Sequence, residues 1–110
     1  MKESYNSLVL IKDLNQSYGW ELTDSLTLDQ LEELLAEIFN GWIRSDFNRL
    51  VQFLYRMDIS ESRLKLLLEE NKESDTGLLI ARLVLERQWQ KIQTRRQFKP
   101  GDAISDEERW

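Results

Sequence analysis

The stretch TLDQLEELLAEIFNGWI, residues 27–43, decides the fold. Thr27 is a good helix N-cap, and Gln30 stands three residues on, where a capping box places the side chain that bonds back to the cap. Behind them Leu28, Leu31, Leu35, Ile38 and Trp42 recur at spacings of three and four, widened by Leu34 and Phe39. That period is helical, and the stripe is wide enough to face a core. It predicts an amphipathic helix over residues 28–43.

The same grammar extends along the chain. Ser45 or Asp46 can cap a second helix carrying Phe47, Leu50, Val51, Leu54 and Met57 on one face, either continuous with the first or set off from it by a bend or turn that Gly41 allows. Ser60 can cap a third, in which Leu64, Leu67 and Leu68 face inward and Glu61, Lys65 and Glu69 lie outside. The segment NKESDTG, residues 71–77, is the clearest loop, and Asp75 or Thr76 there can cap the last and longest helix, residues 77–98. This helix starts almost wholly apolar with LLIARLVL and narrows to Leu85, Trp89 and Ile92 before Pro100 and Gly101 end it. Upstream, SLVLIKDL fits a short helix using Leu8, Ile11 and Leu14 or a short strand; the helix is favoured.

These elements predict an all-α fold, a compact bundle or irregular array of four to five helices with the last the longest. The expected organisation is an N-terminal segment over residues 1–25, a short helix or partly ordered, a helical domain over 26–99, and an acidic tail over 100–110 that frays. With 110 residues, 41% of them hydrophobic, the chain can bury one core.

Composition narrows the chemistry. The sequence has neither cysteine nor histidine, which removes thiolate and imidazole metal sites and the usual bases that activate a nucleophile near neutral pH. Glu32, Glu33 and Glu37 resemble a carboxylate metal helix only superficially, because di-iron bundles also need a histidine. Asp58 and Glu61 form a carboxylate pair, but Ser60 between them is an ordinary cap. No cofactor, metal or small-molecule substrate is inferred, and the chain reads as non-enzymatic. The apolar patch Leu8–Ile11 is too short for a signal-peptide core, and no segment approaches the roughly 18 apolar residues of a membrane span. A cytoplasmic protein is expected.

Charge is segregated. Residues 1–77 carry 8 basic and 15 acidic groups, whereas 78–101 carry 6 basic and 1 acidic. Along the last helix and just past its end Arg87, Lys91, Arg95 and Lys99 recur four apart, joined by Arg96. Three readings compete: a nucleic-acid contact along the phosphate backbone; neutralisation by the acidic face Asp29, Glu32, Glu33 and Glu37, within one chain or across a twofold axis; and a solvated face with cations placed well at a helix C-terminus. Glu86 is expected to pair with Arg82 or with Arg56 of a neighbouring helix. Trp42 and Trp89 sit on apolar stripes as core or interface anchors, whereas Trp20 and Trp110 have no such support.

The pattern DFNRLVQFLYRMDISESRLKLLL followed by IARLVLERQWQKIQTR resembles small bacterial all-helical proteins of uncharacterised function, over residues 28–96. That resemblance implies a helical fold and a bacterial source and transfers no activity or functional residue.

The leading functional expectation is a protein–protein interaction module, a homodimer or a small adaptor or regulator, using the last helix. Trp89, Ile92 and Phe98 are its apolar contacts, and Arg87, Lys91 and Arg95 select the partner electrostatically. The alternative is nucleic-acid binding through the basic stripe, disfavoured by an acidic pI near 4.8.

Overall fold

The computed structural model describes residues 5–72 and 75–97. Among these the chain forms five α-helices and no strand: α1 Ser7–Tyr18, α2 Leu28–Ser45, α3 Phe47–Arg56, α4 Glu61–Glu70 and α5 Thr76–Gln97, the longest. Phe98, Lys99 and the tail from 100 lie outside the described residues.

The capping box forms in both directions, with Gln30 N donating to Thr27 Oγ1 at 3.1 Å and Thr27 N to Gln30 Oε1 at 2.9 Å. Two of the orphan amides at this helix start are thereby satisfied. From there α2 sends Leu31, Leu35 and Phe39 into the core and packs along α5. The break before α3 comes later than Gly41. Gly41 stays helical, its carbonyl accepting from Ser45 Oγ at 2.8 Å, and the chain turns at Asp46, with φ −156° and ψ 66°. A lone glycine costs a helix only about 1 kcal/mol, whereas Asp46 gains a cap, its Oδ1 accepting from Arg49 N at 3.3 Å.

The start of α5 is built against α2. Asp75 Oδ1 accepts from Leu78 N at 3.1 Å and from Asn40 Nδ2 at 2.8 Å, while Asn40 Oδ1 accepts from Gly77 N at 3.0 Å. Here the two backbones touch. A Cβ on Gly77 would stand 2.4 Å from Ala36 O and 2.5 Å from Asn40 Cγ, so the crossing admits only glycine.

The N-terminal stretch is helical. Asn6 caps α1 and Gly19 ends it in the left-handed region, φ 70°, with its N–H returning to Asn15 O. Its inward residues are Leu10, Ile11 and Leu14, each 0% exposed; Leu8, expected inward, is 42% exposed. Leu10 takes its place because a stripe through 10, 11 and 14 fits the helical period as well as one through 8, 11 and 14. These side chains join the cluster that holds Phe39, Leu54 and Ile80.

The other correction is α4, which buries no residue. Leu64, Leu67 and Leu68 are half-buried, because this ten-residue helix packs chiefly on α5.

Candidate functional site

The basic run of α5 forms one wall of a groove. Arg87, Gln88, Lys91, Thr94 and Arg95 face Asp13, Ser17 and Tyr18 of α1, with Arg56 at the end of α3 closing one side, around about 550 Å³. The spacing of four that puts 87, 91 and 95 on one line is the helix period itself.

Each cation is held differently. Arg95 Nη2 bonds Asp13 Oδ1 at 2.7 Å, and the other carboxylate oxygen of Asp13 accepts from Gln88 Nε2. Arg87 Nε donates to Met57 O at 3.0 Å, leaving its Nη2 a loose 3.9 Å from Asp58 Oδ2. The Arg56 guanidinium lies 4.9 Å from the centre of the Tyr18 ring. Lys91 and Arg56 form no ion pair among the described residues.

Four cations therefore face two carboxylates, Asp13 and Asp58, and the excess positive charge acts on the groove itself. Burial lowers the Lys91 pKa from its ordinary 10.5, and Arg87 and Arg95 press in the same direction against the weaker pull of Asp58 and Asp13. At the floor Gln88 is 2% exposed, and its Oε1 accepts no hydrogen bond among the described residues. Tyr18 has its pKa raised, chiefly by burial, with Arg56 opposing.

The apolar line of α5 is covered from within. Ile92 is buried in the core, and the half-buried Trp89 ring meets Tyr5 at 5.6 Å, with the Arg96 guanidinium 5.9 Å from its centre. Of the expected partner-binding set, Arg87, Lys91 and Arg95 come together in the groove, Ile92 joins the core with Trp89 packed against it, and Phe98 lies outside the described residues.

The acidic face of α2 meets α5 at another place. Glu32, 6% exposed, approaches Arg82 Nε at 3.5 Å, while Asp29, Glu33 and Glu37 are exposed; it is Asp13 and Asp58 that answer Arg95 and Arg87. Glu86 pairs with Arg63 of α4 at 2.8 Å rather than with Arg82 or Arg56. Both of those side chains are about half exposed, so the contact is a surface tether of α4 and not a buried pair.

Sequence reasoning missed Asp13, Tyr18 and Arg56. Nothing local marks them; they enter the site because α1 lies across α5 and α3 ends beside both. Among the described residues no group of carboxylates is arranged to hold a metal ion, and no helix is long and apolar enough to cross a membrane. No family model matches the chain, and no curated protein and no solved structure matches it.

Proposed function

We propose that this protein is a non-enzymatic binding module, a small adaptor or regulator, that receives an acidic segment of another protein in the groove between α1 and α5. The observation that supports this most is the convergence of Arg56, Arg87, Lys91 and Arg95 on one groove in a chain of net charge −5. An element that concentrates positive charge against the sign of its own protein raises the local concentration of anions there and speeds encounter with them. Each exposed contact is worth about 0 to 1 kcal/mol, so such a groove selects and steers rather than clamps.

The burial of Ile92 in the core and the contact of Trp89 with Tyr5 shift the role of the last helix from its apolar line to its basic one. The cations also suit the second reading, nucleic acid, since guanidinium groups four apart can follow phosphates. The overall acidity works against that, because a long polyanion must pass surfaces of its own sign.

Titration of the full chain with a polyglutamate peptide and with a single-stranded oligonucleotide, each at low and high salt, separates these readings. Tighter binding of the peptide, lost in Arg87→Glu with Lys91→Glu, supports the protein partner; tighter binding of the oligonucleotide overturns it.

A further inference from the structure

Helix α3 is apolar on two sides, and the fold uses one. Leu50, Phe53 and Leu54 are buried beneath it, yet Phe47, Val51 and Tyr55 stand 59%, 38% and 77% exposed. Positions 47, 51 and 55 are four apart, so their side chains form one continuous ridge along the helix. Large exposed apolar groups scattered singly need no explanation, but three on one ridge of a ten-residue helix do.

The border of the ridge identifies what covers it. The two arginines of α3 are turned elsewhere: the Arg49 guanidinium lies 4.7 Å from the Trp42 ring centre and that of Arg56 4.9 Å from Tyr18. Beside the ridge stand Asn48 and Gln52, both exposed and uncharged. Aromatic enrichment with charge removed from the centre is the composition of an interface core. A partner chosen by charge would need an ionic border, whereas the ridge is flanked along its length by Asn48 and Gln52 on one side and by the buried Leu50 and Leu54 on the other.

The ridge is also a palindrome. Val51 is the midpoint, with an aromatic residue four positions to either side. A second copy laid antiparallel, with the twofold axis at Val51, sets Phe47 against Tyr55 of the partner subunit at both ends, as an isologous contact requires. When two such ridges of fourfold spacing interdigitate, the helices cross at about −50° and the ridges run side by side.

From the ridge, its uncharged border and this self-complementary register, we propose that a second copy of this chain docks on α3, forming an antiparallel homodimer through Phe47, Val51 and Tyr55. A helix of ten residues is about 15 Å long, too short for the roughly 800 Å² per partner of a standard interface, so the dimer belongs to the weak, concentration-dependent class. The proposal is independent of the groove, to which Phe47, Val51 and Tyr55 contribute nothing.

The test is sedimentation equilibrium of the full chain over the micromolar to millimolar range. The weight-average mass is expected to rise towards twice that of the monomer in the wild type and to stay at the monomer value in Val51→Glu, whose thermal unfolding stays that of the wild type because the site is exposed. As the chain has no cysteine, Val51→Cys gives a second readout: mild oxidation is expected to link it as a dimer, while Glu33→Cys on the exposed side of α2 stays monomeric. A wild type that remains monomeric throughout, a dimer that survives Val51→Glu, or equal cross-linking of Glu33→Cys overturns the proposal. Peptide binding by the groove is expected unchanged in Val51→Glu, so either reading can fail alone.

Discussion

Arg95 on the last helix reaches Asp13 on the first, Nη2 to Oδ1 at 2.7 Å, and this one carboxylate also receives the buried amide of Gln88. Asp13 is therefore both the strut that fixes α1 over α5 and an internal competitor for any anion entering the groove.

Asp13→Asn is expected to tighten binding of an acidic peptide. It keeps an oxygen for Gln88 but removes the charge that occupies Arg95. Release of that contact is worth up to about 1 kcal/mol, roughly a fivefold lower Kd. Calorimetric titration of both proteins with the same peptide checks it.

Lys91→Met is expected to do the reverse. Burial and the flanking arginines disfavour its ammonium in the free protein, so its removal slightly stabilises the fold at neutral pH, the effect kept small by solvent screening of a partly exposed group, while peptide binding weakens. The sign follows from a folded pKa below 10.5: the charged form destabilises the native state below that lowered pKa, and the penalty fades as pH rises towards 10.5. Urea unfolding of the two proteins should therefore converge at high pH.

Gly77→Ala tests the helix crossing. In an ordinary helix interior this change stabilises by about 1 kcal/mol through propensity. Here the new methyl group meets the backbone oxygen of Ala36 at 2.4 Å, and backbone cannot yield as a side-chain tip can. A net destabilisation of about 1–3 kcal/mol is expected from denaturant unfolding, the cost of overpacking.

Asp75 gives a window in acid. Hydrogen bonds from Asn40 and then from Leu78 N lower its pKa from the ordinary 3.8. A depressed carboxylate contributes stability that is fully present above its unfolded pKa and is lost as pH falls through the folded one. Asp75→Asn, which can still cap, is expected to flatten the fall in stability below the usual carboxylate range, measured by denaturant unfolding across acidic pH.

The helices were legible because their signals are local. The Thr27–Gln30 box, the Ser60 and Asp75 caps and the apolar periods lie within a few residues of what they specify, and they place α2 and α5 to within two residues at each end. Asp46 was legible, beside Ser45, as a cap for α3, whereas Gly41, where a bend was expected, stays helical because nothing there offers the backbone a competing partner.

What escaped was apposition. Trp20, in an aperiodic stretch, stacks on Phe53 at 5.3 Å because the Asn15 side chain grips Leu22 N and O at 2.9 and 3.0 Å and turns the connection back across the core. The basic stripe was readable as Arg87, Lys91 and Arg95, but its answering groups, Asp13 and Asp58, lie 82 and 29 positions from the arginines they meet. Opposite charge alone pointed to the acidic helix α2, whose Glu32 meets Arg82 instead. Complementary charge says that two segments suit each other; packing decides which ones meet.

The most direct test of the groove as a binding site is a titration of the full chain with polyglutamate peptide at low salt, followed by amide chemical shifts and repeated at high salt. Shifts confined to residues around Asp13, Arg56, Arg87, Lys91 and Arg95 are expected, with an affinity that falls as salt rises and binding lost in the Arg87→Glu, Lys91→Glu variant. Absence of binding at low salt, or binding that persists in that variant, would contradict it.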